Sequence, residues 1–334
     1  MGRVCGGGAA ALVGLTLVTA LAAAPVRADP ALEVVATGVP RPLQLAVDGR
    51  SLVVLSPGAR GDVAGEIYRL ELGRDRPVDL ARQPRVRIPF PDARMATFGS
   101  LAVHPITREL FLGEENGGRV FRMTLDERLH LFATGLNRLA GGGTLACDGG
   151  ARLLIVDHVD PRLSQDDERV PPGFEQFREE DYRGPLVFRL SLDADIPGPR
   201  RLTGLAPLFP RAWGGKAGGG LLPRLVAVAP LGGDDVAVLT SGGDLFRLTP
   251  DGRLTPFARL PRGQYVRINM ASAPDGTLYV SGGFWVAQLF RVSRDGTVSV
   301  VASNLADPQG VAVDARGDVY LAESSFHRIV RVRP

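Results

Sequence analysis

The chain has 334 residues, of which 45% are hydrophobic and only 6% aromatic, and it contains 42 glycines and 26 prolines. A chain of this length can bury a substantial core, and turn-forming residues at this frequency favour a mostly β domain over a helical one. The formal net charge of +3 gives no reason to expect nucleic acid or an anionic membrane surface as a partner.

The N-terminus has the pattern of a secretory signal. Arg3 precedes an apolar, Ala-rich run over residues 9–24, and small residues surround a cleavage point before Asp29. The apolar run is shorter than the roughly twenty residues that span a bilayer. We therefore predict a signal peptide over residues 1–28 and an exported protein, periplasmic or extracellular, with no membrane attachment after cleavage.

Cys147 is the single cysteine of the predicted mature chain, because Cys5 lies within the signal peptide. One thiol cannot form an internal disulfide, so the core alone must hold the fold. Cys147 ends an extended run between Ala146 and Asp148. We expect a buried, unreactive thiol there rather than a nucleophile.

A pattern of about forty residues recurs along the mature chain. It reads SLAVHPITRELFLGEENGGRVFRM at 100–123, VAVAPLGGDDVAVLTSGG at 226–243, INMASAPDGTLYVSGG at 268–283 and LADPQGVAVDARGDVYLAESSFHRIVRVRP at 305–334. Each copy alternates extended runs with tight turns, which predicts a small antiparallel sheet. Repetition of such sheets is typical of a β-propeller. Six innermost strands are predicted to begin near Leu43, Ser100, Thr144, Leu225, Asn269 and Gly310.

The two ends of the mature chain are predicted to share one sheet. ALEVVATGVP at 31–40 is similar to VSVVASNL at 298–305, the outer strand of the fifth unit, whereas the sixth unit ends without such a strand. Leu32 to Ala36 would supply it, so that the ring closes with no unpaired edge. The sequence thus predicts an all-β, six-bladed propeller over residues 29–334 as a single domain.

Two insertions interrupt the repeat, at 159–184 and at 197–223. The first, VDPRLSQDDERVPPGFEQFREEDYRG, carries eight acids against four arginines. It is interpreted either as a solvated surface loop or as a lid, because long loops in compact domains are often functional. The second contains GGKAGGG, which lacks the residue order of a phosphate loop.

The phrases DPQGVAVDARGDVYLAESSFHRIVRV, PDGTLYVSGG and GEENGGRVFRM resemble NHL repeats and the SMP-30/gluconolactonase group of six-bladed propellers. The resemblance implies one divalent cation, usually calcium, held in the central channel by Glu, Asp and Asn where the inner strands begin, and used in lactone hydrolysis. In this chain those positions are Leu43, Gly99, Gly143, Arg224, Ile268 or Asn269, and Gln309. None is a carboxylate, although a shift in alignment would bring Asn137 or Asn269 into the channel. Arg224 and Gln309 are the candidate substrate-contacting residues of the channel.

Carboxylates occur instead where the second strands end, at Glu114, Asp157 and Glu323. Loops of neighbouring blades meet around one channel mouth, so Glu114 and Asp157 with His158 form a candidate catalytic cluster. Glu114, Asp157 and Asn269 are the candidate calcium ligands. The alternative interpretation is that these acids brace their own turns by local hydrogen bonds.

The sequence contains none of the following common motifs of other enzyme classes: GxSxG, HExxH, paired CxxC and the Rossmann fingerprint. ATGVPRPLQLAVDG is similar to soluble quinoprotein sugar dehydrogenases, but their histidine pattern is not visible. Two hypotheses therefore remain. The first is an exported, monomeric propeller that binds a small molecule or a protein at its channel mouth. The second is a calcium-dependent hydrolase of lactones or related esters.

Overall fold

A computed structural model describes residues 32–92, 96–115, 117–136, 139, 141–157, 185–192, 198–202, 205–209 and 224–333. The predicted signal peptide and the insertion at 159–184 lie outside these residues, so both stay predictions. Within the described residues no helix is both long enough and apolar enough to cross a bilayer.

The first three blades follow each other along the chain, each an antiparallel sheet. The first blade consists of β2 (Gln44–Asp48), β3 (Ser51–Ser56), β4 (Gly65–Glu71) and β6 (Arg85–Ile88). The second consists of β7 (Phe98–Val103), β8 (Leu110–Glu114), β9 (Val120–Met123) and β10 (Leu129–Thr134). The described part of the third consists of β11 (Leu145–Cys147), β12 (Arg152–Asp157) and β13 (Leu186–Ser191).

The last three blades repeat the arrangement. The fourth consists of β15 (Leu225–Gly232), β16 (Asp235–Thr240), β17 (Asp244–Leu248) and β18 (Leu254–Arg259). The fifth consists of β19 (Met270–Ser272), β20 (Leu278–Ser281), β21 (Leu289–Val292) and β22 (Val298–Ala302). The sixth consists of β23 (Pro308–Val313), β24 (Val319–Glu323), β25 (Arg328–Val332) and β1 (Leu32–Thr37). Among the described residues, 3-10 helices occur at Leu80–Arg82 and Ser324–Phe326.

The ring closes as the sequence predicted. Strand β1 pairs antiparallel with β25, in a register that places Leu32 opposite Val332 and Val34 opposite Val330. An ion pair between Glu33 and Arg331, 2.6 Å long, lies on the same two strands. Each innermost strand contacts the innermost strand of the next blade, and β23 contacts β2 to complete the circle. The six-bladed, all-β prediction is therefore confirmed.

Two very short strands attach to the outside of other blades. Strand β5 (Val78–Asp79) runs parallel to β1, and β14 (Arg200–Arg201) runs parallel to β10. The second of these lies within the predicted insertion at 197–223, so part of that segment covers the outer edge of the second blade. Covering an edge in this way protects its unpaired backbone groups from pairing with another chain.

The core lies between the blades, because successive strand side chains alternate between the two faces of each sheet. Between the sixth and first blades, for example, Leu52, Val54 and Tyr68 pack against Tyr320 and Ile329. Similar clusters separate the second blade from the third and the fourth from the fifth. This packing fixes the angle between blades and so positions the residues around the channel.

Candidate functional site

One end of the channel collects the residues that the sequence singled out. Because the first two strands of each blade are antiparallel, the start of the inner strand lies beside the end of the second strand. Phe98 thus faces Glu114, and Pro308 faces Glu323. We call this end the channel mouth.

Glu114 is buried at the mouth, and an arginine of its own blade binds both of its carboxylate oxygens. Arg119 Nε donates to Oε2 at 2.8 Å, and Arg119 Nη2 donates to Oε1. Arg119 also donates to Asp92 Oδ2 at 2.6 Å. The hydrogen bonds to Glu114 raise the pKa of Arg119 above its ordinary value. Glu114 therefore braces its own turn.

Glu323 repeats this arrangement in the sixth blade. Arg328 Nε donates to Glu323 Oε2 at 2.5 Å, and the backbone N–H of Ala306 donates to Oε1 at 2.9 Å. In both blades the arginine follows the glutamate by five residues, at the start of the next strand or directly before it. The shared spacing identifies the pair as a structural element of the repeat.

Asp157 ends β12, fully buried and paired with Leu186 of β13. His158, the third member of the candidate catalytic cluster, lies outside the described residues, as does Asn137. Among the described residues no group of three His, Cys, Asp or Glu side chains is placed to hold one metal ion. The catalytic and metal assignments, including those of Glu114 and Asn269, stay predictions.

Asn269, the third candidate calcium ligand, uses its amide to join two blades. The backbone N–H of Met270 donates to Asn269 Oδ1 at 2.8 Å, and Asn269 Nδ2 donates to the carbonyl of Val311 at 3.2 Å. Both ends of the side chain are therefore occupied by backbone groups.

Backbone crosses the mouth where the family resemblance would place metal ligands. The N–H of Gly142 donates to the carbonyl of Gly99 in the second blade at 2.9 Å, and the N–H of Gly143 donates to the carbonyl of Ile268, which precedes the fifth blade, at 2.7 Å. A Cβ at Gly143 would lie 2.7 Å from Asn269 Oδ1. Glycine is required here, because a larger residue would separate the strands.

Three polar residues remain on the side of the mouth formed by the sixth and first blades. Gln44 is 1% exposed, and neither its amide nitrogen nor its amide oxygen has a hydrogen-bond partner in the described structure. Gln309 Nε2 donates to Asp307 Oδ2 at 2.8 Å, while Asp307 Oδ1 is buried and unpartnered there. Burial raises the pKa of Asp307 above its ordinary value, against the lowering effects of Gln309 and Arg267.

Arg224 lies directly before β15, partly exposed.

The loops next to Asp307 carry exposed aromatic rings. Phe284 and Trp285 are 65% and 64% exposed, and their ring planes are perpendicular with centroids 5.0 Å apart. Phe326 is 59% exposed, and the guanidinium of Arg328 lies 4.8 Å from its ring centroid. Polar groups in the channel and the uncovered rings of Phe284 and Trp285 at its edge together form a candidate binding site for an organic molecule.

Comparison with known proteins supports the fold. No protein-family model and no curated protein matches the sequence. A gluconolactonase from Xanthomonas campestris superposes with a TM-score of 0.53 at 15% identity, over 90% of this chain and 88% of that one. Virginiamycin B lyase from Staphylococcus aureus gives 0.52 at 12% identity, over 88% and 94%. A streptogramin B lyase gives 0.52 at 10% identity, over 91% and 96%.

The chain is a six-bladed β-propeller. At these identities the likeness is one of fold, and it confirms the architecture that the sequence resemblance implied. The same ring of six blades occurs in proteins of more than one activity. The function of this chain must therefore be argued from the residues at its channel mouth.

Cys147 does not belong to this mouth. Its side chain packs against the cluster between the second and third blades and is only partly buried, so the expectation of a fully buried thiol holds only in part. Burial and the neighbouring Asp148 carboxylate raise the pKa of Cys147 to about 12. The thiol therefore stays protonated at neutral pH, which makes it a poor nucleophile.

Proposed function

We propose that this propeller is an exported binding protein that holds a small organic molecule at its channel mouth through hydrogen bonds. The observation that carries the proposal is Gln44, whose buried amide nitrogen and oxygen have no partner in the described structure. Buried polar groups are almost always paired in folded proteins, and an unpaired one costs about 1–3 kcal/mol. A ligand that pairs with this amide would remove that cost.

The position of Gln44 supports the same proposal. Its Cα lies beside Gly310, where an added Cβ would come within 2.8 Å of it. Gln309 immediately precedes Gly310 and holds Asp307 by its amide. The unpartnered atoms of Gln44 and Asp307 thus belong to the first residue of one inner strand and to the residue directly before the adjacent inner strand. An amide supplies both a donor and an acceptor, and the Asp307 oxygen supplies a further acceptor.

The alternative is a calcium-dependent hydrolase of lactones, as the sequence resemblance implies and as the name of the Xanthomonas neighbour suggests. Calcium takes six to eight oxygen ligands, including charged ones. Of the three candidate ligands, Glu114 is bound by Arg119, and the amide of Asn269 is bound by backbone. These contacts favour binding through hydrogen bonds over metal-assisted hydrolysis.

Thermal-shift measurements test the proposal. The purified protein and the variant Gln44→Met are melted with a chelator against a panel of small alcohols, amides, amines, sugars and lactones. At least one class is expected to raise the melting temperature of the wild type but not that of the variant, since ligand at a hundred times its dissociation constant adds about 2.7 kcal/mol. Gln83→Met, an exposed glutamine next to a 3-10 helix, is the matched control and should respond like the wild type.

Two outcomes of the same experiment would contradict the proposal. If no compound stabilises the wild type, or if Gln44→Met responds equally, the proposed site is wrong. Millimolar calcium is added in a second series, together with a lactone-opening assay. A calcium-dependent rise in melting temperature with lactone hydrolysis would replace the binding proposal by the hydrolase.

A further inference from the structure

Backbone hydrogen bonds tie the Asp307 segment to the two loops that carry the exposed aromatic rings. The N–H of Gly283, next to Phe284, donates to the carbonyl of Pro308 at 2.8 Å. On the other side the N–H of Ser324, which begins the short helix that contains Phe326, donates to the carbonyl of Asp307 at 3.1 Å. The Asp307 segment is therefore held between an aromatic loop of the fifth blade and one of the sixth.

The loop that carries Phe284 and Trp285 is tightly folded. Gly283 has a φ of +71°, and an added Cβ would lie 2.6 Å from the carbonyl oxygen of Val266. An added Cβ at Gly282 would lie 1.8 Å from the carbonyl oxygen of Val286. Only glycine fits at both positions, because the backbone directly before the two rings packs closely against Val266 and against Val286, which follows the rings. A fixed loop lowers the conformational entropy lost when the rings contact a ligand.

Phe284 and Trp285 are exposed rings whose faces are not covered by an arginine of the described structure. Five described rings have a guanidinium over them, namely Tyr68, Phe121, Phe132, Phe257 and Phe326. In the described structure no such cation lies over Phe284 or Trp285. Their perpendicular planes, 89° apart, form a corner with two open π faces. A cation over such a face is attracted by about 0.5–2 kcal/mol.

Asp307 also lacks a bound arginine in the described structure, unlike two other acids of the mouth. Glu114 and Glu323 are each bound by an arginine. Asp307 Oδ1 is buried with no partner in the described structure. Arg267 is bound to Glu115 Oε1 at 2.7 Å, and its lowering effect on the pKa of Asp307 is smaller than the raising effect of burial. A positive group from outside would stabilise the charged carboxylate.

We propose that the molecule bound at the mouth carries an organic ammonium group, which lies against Phe284 and Trp285 and neutralises Asp307. This inference rests on the proposed binding function and names its ligand class. The open rings favour a cation with an apolar surface, and the Asp307 carboxylate favours a ligand with a positive charge. Gln44 then binds a polar group elsewhere on the same molecule.

Isothermal titration with a matched pair of probes tests the ligand class. Choline and tetramethylammonium are compared with 3,3-dimethyl-1-butanol, which has the shape of choline without its charge. The two cations are expected to bind one per chain, and the alcohol at least about tenfold more weakly. Trp285→Leu and Asp307→Asn should each weaken choline binding by about five- to thirtyfold. Trp285→Phe should retain most of the affinity because it keeps a ring.

Phe326→Leu is the control for the aromatic substitutions, because Arg328 already covers that ring, and it should bind choline like the wild type. Each variant is first checked for an unchanged melting temperature. Equal affinity for choline and for the neutral alcohol, or no binding of any ammonium probe, overturns the inference. If another class in the thermal-shift panel still depends on Gln44, the proposed function stands and only its ligand class is wrong. If no class stabilises the protein, both fail.

Discussion

Removal of residues 29–40 is expected to lower the free energy of unfolding by several kcal/mol and to cause aggregation. This segment contains β1, which pairs with β25 along its length. The segment also contributes the fully buried Ala36 and Val39 to the core between the sixth and first blades. Its loss would leave buried backbone groups of β25 unpaired and expose a sheet edge, each of which is costly.

Equilibrium urea unfolding and light scattering of the truncated and untruncated proteins measure this effect. Glu33→Gln is the control, since it keeps the strand and removes only a partly exposed ion pair with Arg331. Such a pair is worth about 0–1 kcal/mol. A truncated protein that unfolds at the same urea concentration as the untruncated one would show that the ring does not depend on this closure.

Glu114→Gln is expected to lower the free energy of unfolding by about 3 kcal/mol, whether or not calcium is present. The substitution leaves the largely buried guanidinium of Arg119 without its main counter-ion, and removing one partner of a buried pair costs about 3–5 kcal/mol. The lower end applies because Arg119 keeps its contact with Asp92. Glu323→Gln should act in the same direction, because Arg328 binds Glu323 in the same way.

Urea unfolding in chelator and in millimolar calcium measures the Glu114 variant. Glu115→Gln is the matched control at the next residue, where the partner Arg267 is more than half exposed, so its effect should stay below about 1 kcal/mol. A Glu114→Gln protein with unchanged metal-free stability, together with a calcium-dependent stabilisation of the wild type that the variant lacks, would identify Glu114 as a metal ligand instead.

The blades and their closure were predictable from the sequence, because alternating apolar positions and turn residues recur with one period. The channel residues were only partly predictable. The register between first and second strands shifts in the second, fourth and sixth blades, for example between Phe98 and Ser100 and between Pro308 and Val311. In the first blade, where no such shift occurs, the offset from the second strand selected Leu43, the residue next to the buried amide of Gln44. In the sixth blade it selected Gln309, which lies within the shifted segment.

The structural role of Glu114 had a signal that the sequence carried. GEENGGR and AESSFHR both place arginine five residues after glutamate, and strand pairing then brings the two side chains together. Asp307 and the Phe284–Trp285 corner had no such signal. A backbone hydrogen bond from Gly283 to Pro308 links their two segments, and no period in the sequence encodes it. Sites made of loops from different blades need the tertiary structure.

The free energy of unfolding of Gln44→Met, measured by urea titration in chelator without added ligand, shows whether the folded chain leaves the amide of Gln44 unpaired. Methionine has nearly the length of glutamine and no polar amide. If the buried amide of Gln44 is kept unpaired for a ligand, its replacement should stabilise the ligand-free protein by about 1–3 kcal/mol. An unchanged or lower stability would mean that the amide is already satisfied in the folded chain, and would contradict a ligand site at this mouth.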